Sequence, residues 1–289
     1  MDPNRSPLLL LLLPLVLVLG CPSAVGTGDD DTSVDDDDSG DDDTSVDDDD
    51  SGDDDDSGDD DDSGDDDDSA LACLFTDYAD VIVEAPGASG DGFGDAQRAV
   101  NGVRGGGASS GGFDVYSLAY APAARDRLVL RWSDRSIVPV PGPELAVFEN
   151  AFASGAGVFM EQTAVEVSRD GVTWVAFPFV YLADDPSSYS SDPAHWQGFA
   201  GVTPVLFHQE AHCVDPFDSA AAGGDAFDLD DLPDSGEAGL IKTLGFTWLR
   251  LRNAASFLNP DTGSAFPVDP VAAGADIDGV FARGLVLER

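Results

Sequence analysis

Residues 164–177 read AVEVSRDGVTWVAF. Ala164-Val165-Glu166-Val167-Ser168 and Val172-Thr173-Trp174-Val175-Ala176-Phe177 are β-branched and aromatic runs on either side of Arg169-Asp170-Gly171. Asp-Gly between two such runs is the strongest short-range signal for a β-hairpin. Other strands follow on both sides. Leu128-Val129-Leu130-Arg131-Trp132 and Leu145-Ala146-Val147-Phe148 precede the hairpin. Phe246-Thr247-Trp248-Leu249-Arg250-Leu251-Arg252 alternates from Leu249 onward, which puts Leu249 and Leu251 on one face and Trp248 with its neighbours on the other. Gly279-Val280-Phe281-Ala282 and Leu285-Val286-Leu287 read as a final strand. Gly and Pro recur throughout, and long stripes with a 3.6-residue period are missing, so helix signals are poor. Short strands separated by Gly/Asp/Pro loops predict an all-β fold, a β-sandwich, over residues 71–289. That span is long enough for one well-buried domain.

The chain ahead of this domain has a different character. Arg5 is followed by Leu8 to Leu19, twelve apolar residues with one proline, and then Gly20 and Cys21. A bilayer-spanning helix needs about 20 apolar residues. A short apolar run after a basic residue is instead the layout of a secretory signal. Residues 29–68 then hold 26 Asp and otherwise only Ser, Thr, Gly and Val. The unit TSVDDDDSGDDD at 32–43 repeats at 44–55, and SGDDDD recurs at 51, 57 and 63. With nothing apolar to bury, this tract is expected to stay disordered and extended by self-repulsion. Calcium loops of the EF-hand kind alternate their ligands around a glycine and end on a distant Glu. Runs of four adjacent Asp do not, so the tract reads as a spacer. The chain carries 57 acidic and 13 basic residues. The tract takes 26 of the acids, and Asp2 cancels Arg5. Residues 69–289 therefore keep 30 acids against 12 bases, a net charge of −18. Lys242 is their only lysine. Nucleic acid and anionic membranes need basic patches, and none is visible; cations are the natural partners.

Two resemblances follow from these residues. Val18-Leu19-Gly20-Cys21 resembles the lipobox of bacterial lipoproteins. That implies cleavage of the leader 1–20, lipidation of Cys21, and a tethered stalk over 21–70. Ordinary signal cleavage near Ala24, giving a secreted or periplasmic protein, is the alternative. Ser168-Arg169-Asp170-Gly171-Val172-Thr173-Trp174 and the late Trp248-Leu249-Arg250-Leu251-Arg252 are similar to strands of discoidin-like, galactose-binding-like jelly rolls. The chain also resembles a family of bacterial cell-surface proteins in several phrases: Arg98-Ala99-Val100-Asn101-Gly102, Val147-Phe148-Glu149-Asn150-Ala151-Phe152, Ala200-Gly201-Val202-Thr203-Pro204, Gly223-Gly224-Asp225-Ala226-Phe227-Asp228-Leu229 and Ala275-Asp276-Ile277-Asp278-Gly279-Val280. The last departs from the family, which usually has Phe at the position of Ala275. The resemblance implies a jelly-roll β-sandwich at the cell surface, on the outer membrane, and no particular reaction.

The sharpest chemical expectation is a calcium site. Calcium takes six to eight oxygens from carboxylates, amides and carbonyls. Asp225, Asp228 and Asp230 lie on one loop that Gly223 and Gly224 allow to bend. Glu149 and Asn150 end a strand expected near the same rim. Asp276 and Asp278 sit two apart, which in a strand points them to one face. The galactose-binding-like domains the chain resembles often carry a structural calcium. The competing reading has these acids capping turns or standing in solvent.

Other constellations say less. His208-Gln209-Glu210-Ala211-His212-Cys213 has the wrong spacing for the zinc-protease motif, where Glu directly follows the first His. Gly107-Ala108-Ser109-Ser110-Gly111 matches the nucleophile-elbow pattern only inside a glycine run. Thirty acids offer many carboxylate pairs, so an exported glycan-active hydrolase stands as the alternative to a non-catalytic binding or adhesion domain. Tyr181, Tyr189 and Trp196 surround a Ser/Asp/Pro-rich insert, which suggests either a sugar-holding surface or lid packing. Export permits a disulfide, and Cys73 and Cys213 are the two cysteines left to form it.

Overall fold

The computed structural model describes residues 75–87, 92–120 and 125–288. In chain order the strands are β1 (Val81–Glu84), β2 (Tyr116–Ser117), β3 (Arg127–Arg131), β4 (Arg135–Ile137), β5 (Leu145–Glu149), β6 (Phe152–Ser154), β7 (Gly157–Phe159) and β8 (Thr163–Ser168). They continue as β9 (Val175–Ala176), β10 (Val180–Tyr181), β11 (Trp196–Gln197), β12 (Asp225–Phe227), β13 (Trp248–Asn253), β14 (Asp276–Ala282) and β15 (Leu285–Leu287). Two helices, α1 (Ser219–Ala222) and α2 (Gly236–Leu244), interrupt them. The structure is mostly β, and every strand pair within its sheets is antiparallel.

The hairpin at 164–177 forms, but with a wider bend than a two-residue turn. Glu166 pairs with Ala176 and Val167 with Val175. Val172, Thr173 and Trp174 stay in the loop because Asp170 holds it. Its carboxylate accepts from Val172 N at 2.8 Å, Thr173 N at 2.7 Å and Thr173 Oγ1 at 3.2 Å. This side-chain turn competes with the ladder and wins. The strand expected over 279–287 also divides, since Leu285–Leu287 pairs with β4 in a separate ribbon.

Two larger sheets carry the architecture, with orders β1-β3-β13-β8-β9 and β12-β5-β14-β2. They share one core. Leu128, Leu130, Val165, Val167, Leu249 and Leu251 from the first sheet join Leu145, Val147, Ile277, Val280 and Ala282 from the second in one buried cluster. Trp248, Arg250 and Arg252 lie on the other face of β13, as its alternation predicts, and are only partly buried. β5 does not alternate, because it is covered on both sides. Ala146 and Phe148, with Phe281 of β14, pack outward against Val103, Val205, Phe207 and Ala222. That second layer explains the unbroken apolar run Leu145-Ala146-Val147-Phe148, all of it buried. A third cluster of Met160, Tyr181, Trp196, Phe199 and Phe266 is separate from both. α2 was not legible as a helix: Gly236 and Gly239 weaken its pattern, and only Ala238 and Ile241 are buried.

Candidate functional site

Four carboxylates from separated parts of the chain meet below the ends of β5, β12 and β14. Glu149 closes β5 and is only 2% exposed. Its Oε1 accepts the backbone N–H of Asp276 at 3.1 Å, whereas its Oε2 is buried without a hydrogen-bond partner. Glu161, just ahead of β8, is 3% exposed and accepts from Gly274 N at 2.7 Å and from the Tyr120 hydroxyl at 3.4 Å. Asp225 opens β12; its Oδ2 accepts from Gly201 N at 2.8 Å and Val202 N at 3.0 Å, and its Oδ1 from Thr203 Oγ1 at 2.7 Å. Asp276 Oδ1 accepts from Ser117 Oγ.

Gly201 binds the group together. It has φ of +82°, and a Cβ there would lie 2.7 Å from Glu149 Oε2 and 2.9 Å from the Glu161 carbonyl oxygen. Only glycine fits a left-handed turn pressed this closely on two acids.

The electrostatics are one-sided. Among the described residues none of these four carboxylates forms an ion pair. Burial raises the pKa of Glu149 well above the usual carboxylate range, and the charges of Glu161, Asp276 and Asp225 add to it. Burial, then Asp276, pushes Glu161 up to about 8. Asp225 is pushed to about 6 by burial, against the pull of its hydrogen bonds to 201–203. Asp276 is raised by burial. Tyr120 is raised by burial and then by Glu161. Crowding of desolvated like charges disfavours ionisation, so the group either holds protons or needs a cation.

The expected calcium ligands divide. Glu149, Asp225 and Asp276 come together. Asn150 adjoins Glu149, but its side chain is spent on Gly112: its Oδ1 accepts from Gly112 N and its Nδ2 donates to Gly112 O at 3.2 Å. Asp228 caps a 3-10 turn by accepting from Asp230 N at 2.8 Å, and Asp230 is exposed; turn chemistry, not the carboxylate group, claims both. Asp278 is fully buried elsewhere, accepting from Arg104 N at 2.8 Å, and burial pushes it up to about 8. The pairing register of β14 with β5 shifts between Ile277 and Gly279, and this bulge breaks the alternation that joined Asp278 to Asp276. Glu161 and Tyr120 were not anticipated. Glu161 stands in the polar run Glu161-Gln162-Thr163, which has no apolar period to mark it as buried.

The aromatic residues of the insert are core. Tyr181 and Trp196 are 3% and 1% exposed, with ring centroids 4.0 Å apart. Their polar atoms donate to Ser188 O at 2.5 Å and Ser190 O at 2.8 Å. Tyr189 donates to Met160 O at 3.0 Å, and burial pushes it up to about 12. A sugar platform needs an open ring face; Tyr181 and Trp196 turn theirs to each other, as a lid does. Glu210 pairs with Arg104 at 2.6 Å, which removes it from any role between His208 and His212. Cys213 is disulfide-bonded. Cys21 and Cys73 lie outside the described residues.

Among the described residues no three His, Cys, Asp or Glu side chains stand ready-made around a metal position. The orphaned Glu149 Oε2 nevertheless fits a hard cation, which would draw these carboxylates inward. No helix among the described residues is long and apolar enough to cross a membrane. Comparison with protein-family models, with curated proteins and with solved structures returns no match.

Proposed function

We propose that residues 71–289 form a jelly-roll, galactose-binding-like sandwich that works as a calcium-stabilised, non-catalytic binding or adhesion domain. In this reading the leader exports the chain, Cys21 carries a lipid, and the Asp-rich stalk holds the domain off the outer membrane, where it meets a glycan or a surface protein. A Cys73–Cys213 bridge ties the stalk junction to the body.

One observation carries the reading: Glu149 Oε2 is buried, unpartnered and surrounded by other acids. Glu149, Glu161, Asp225 and Asp276 would hold the ion. Calcium would supply the positive charge that the protein does not place there. A hydrolase needs its carboxyl pair in reach of substrate; the near-complete burial of Glu149 and Glu161 favours the non-catalytic role.

The test is thermal melting of the purified chain with calcium and with chelator. An ion at about 100 times its Kd adds roughly 2.7 kcal/mol, or some 5–10 °C for a domain of this size. An unchanged midpoint at millimolar calcium overturns the reading.

A further inference from the structure

The two large sheets differ on their outer sides. Val103, Val205, Phe207 and Ala222 cover that of β12-β5-β14-β2, whereas among the described residues no buried cluster covers that of β1-β3-β13-β8-β9. Strand register places Arg127, Arg131, Trp248, Arg250 and Arg252 on this open face. Arg131 lies 4.5 Å over the Trp248 ring and Arg252 4.6 Å over Phe257. Two exposed apolar residues stand at its edges: Val83 in β1, 39% exposed, and Val172 in the β8–β9 loop, 79% exposed. That loop meets the face at Gly171, where a Cβ would lie 3.1 Å from the Trp248 ring.

Charge cancels on this face. Arg127 pairs with Glu84, Arg131 with Glu288, Arg250 with Glu166 and Arg252 with Asp126. Setting aside these four pairs, residues 69–289 keep 26 acids and 8 bases, so the whole net charge of −18 lies on the rest of the domain. A basic partner is drawn to that other surface, and an acidic one gains nothing from a neutral face. A second copy of the chain is the partner for which neutrality decides, because two bodies of like charge meet with least repulsion where the net charge is zero. A two-fold axis sets the same patch of both copies together. Arginines in the middle of one face then meet the exposed rim carboxylates of the other. Trp and Arg are also the residues most enriched at the centres of interfaces. Four strand spacings and about five residues make the face roughly 19 Å by 17 Å. With side-chain relief, two such faces bury on the order of 1,000 Å², the low end of specific interfaces, which suits a weak dimer. We propose that the chain forms a two-fold dimer through the outer face of the five-stranded sheet. The proposal goes beyond the binding reading and needs neither an ion at Glu149 nor a glycan.

The experiment is sedimentation equilibrium of the full chain over about 1–200 µM, a range that spans weak dimers, in low and in moderate salt. A monomer–dimer equilibrium is expected. Raising salt from about 0.05 to 0.3 M should tighten it several-fold, because screening removes the repulsion between the acidic remainders while the paired charges of the face cancel. The double variant Val83→Asp with Val172→Asp puts a charge at each edge and should weaken the dimer at least about tenfold, with the melting midpoint of the dilute monomer unchanged. Val172→Asp alone, in an exposed loop, decides the matter if the strand substitution lowers that midpoint; it should weaken the dimer at least about threefold. A monomer throughout the range, open association beyond the dimer, a dimer that loosens with salt, or one indifferent to Val172→Asp overturns the proposal.

Discussion

Asp276 acts on Glu149 in two opposite ways. Its backbone N–H donates to Glu149 Oε1 at 3.1 Å, which favours the ionised acid, while its own carboxylate opposes that ionisation. The hydrogen bond fixes the geometry, and burial with the neighbouring charges decides the energetics. The result is a set of carboxylates held in place before anything neutralises them.

Metal-free stability should fall as pH rises from about 5 to 8. Glu161 and Asp278 are pushed up to about 8 and Asp225 to about 6. The folded chain thus keeps protons that the unfolded chain has already lost, and each such group costs at most ~1.4 kcal/mol per pH unit between its unfolded and folded pKa. Asp170 is lowered to about 2 and acts only at more acid pH. Melting in chelator across pH 5–8 checks this. Glu161→Gln should flatten the slope, and a level midpoint in the parent chain would refute it.

Glu149→Gln should stabilise the metal-free domain at pH 8 by roughly 1–2 kcal/mol, because it removes a carboxyl whose ionisation burial and like charges oppose. The same variant should lose its response to calcium. Denaturant unfolding with and without calcium separates the two effects, and destabilisation in chelator would count against the electrostatic account.

The outer face of the five-stranded sheet rests on Arg250. It makes two bonds to Glu166, at 2.6 and 2.8 Å, and its guanidinium lies 4.2 Å over the Trp174 ring. The Glu166 side chain is 7% exposed. Arg250→Ala strands that charge and should cost about 3 kcal/mol, seen as a midpoint roughly 10 °C lower. Arg250→Lys should recover only part, since lysine lacks the planar fork. The double change Arg250→Met with Glu166→Leu should recover most of the loss. Equal losses in single and double variants would show that packing, not charge, is responsible.

Much of the fold is legible in local pattern. Alternation in Leu249-Arg250-Leu251-Arg252 gave β13 and its two faces, and packing chose the one with Leu249 and Leu251 for the core, both at 0% exposure. The run Leu145–Phe148 gave β5, although its second covered face needed the layer of Val205 and Phe207. The 169–174 loop was misread because Asp170 bonds within it more strongly than Val172 and Thr173 extend the ladder. Gly223 and Gly224 were expected to bend the backbone, and both take positive φ, 66° and 67°.

The carboxylate site shows where such reading stops. The sequence by itself determined that the chain is acidic, that short strands dominate, and that Glu149 follows a strand while Asp225 stands on a glycine-led loop and Asp276 two residues before Asp278. Tertiary structure alone decided that those three meet Glu161 while Asp278 is carried away. Strand identity depends on neighbours along the chain. Which acids share a volume depends on sheet order, on one bulge in β14 and on a glycine at 201 that lets a loop press on the Glu149 carboxyl and the Glu161 backbone. None of these is a local property, and burial, which sets the charge state of the group, follows only from all of them together.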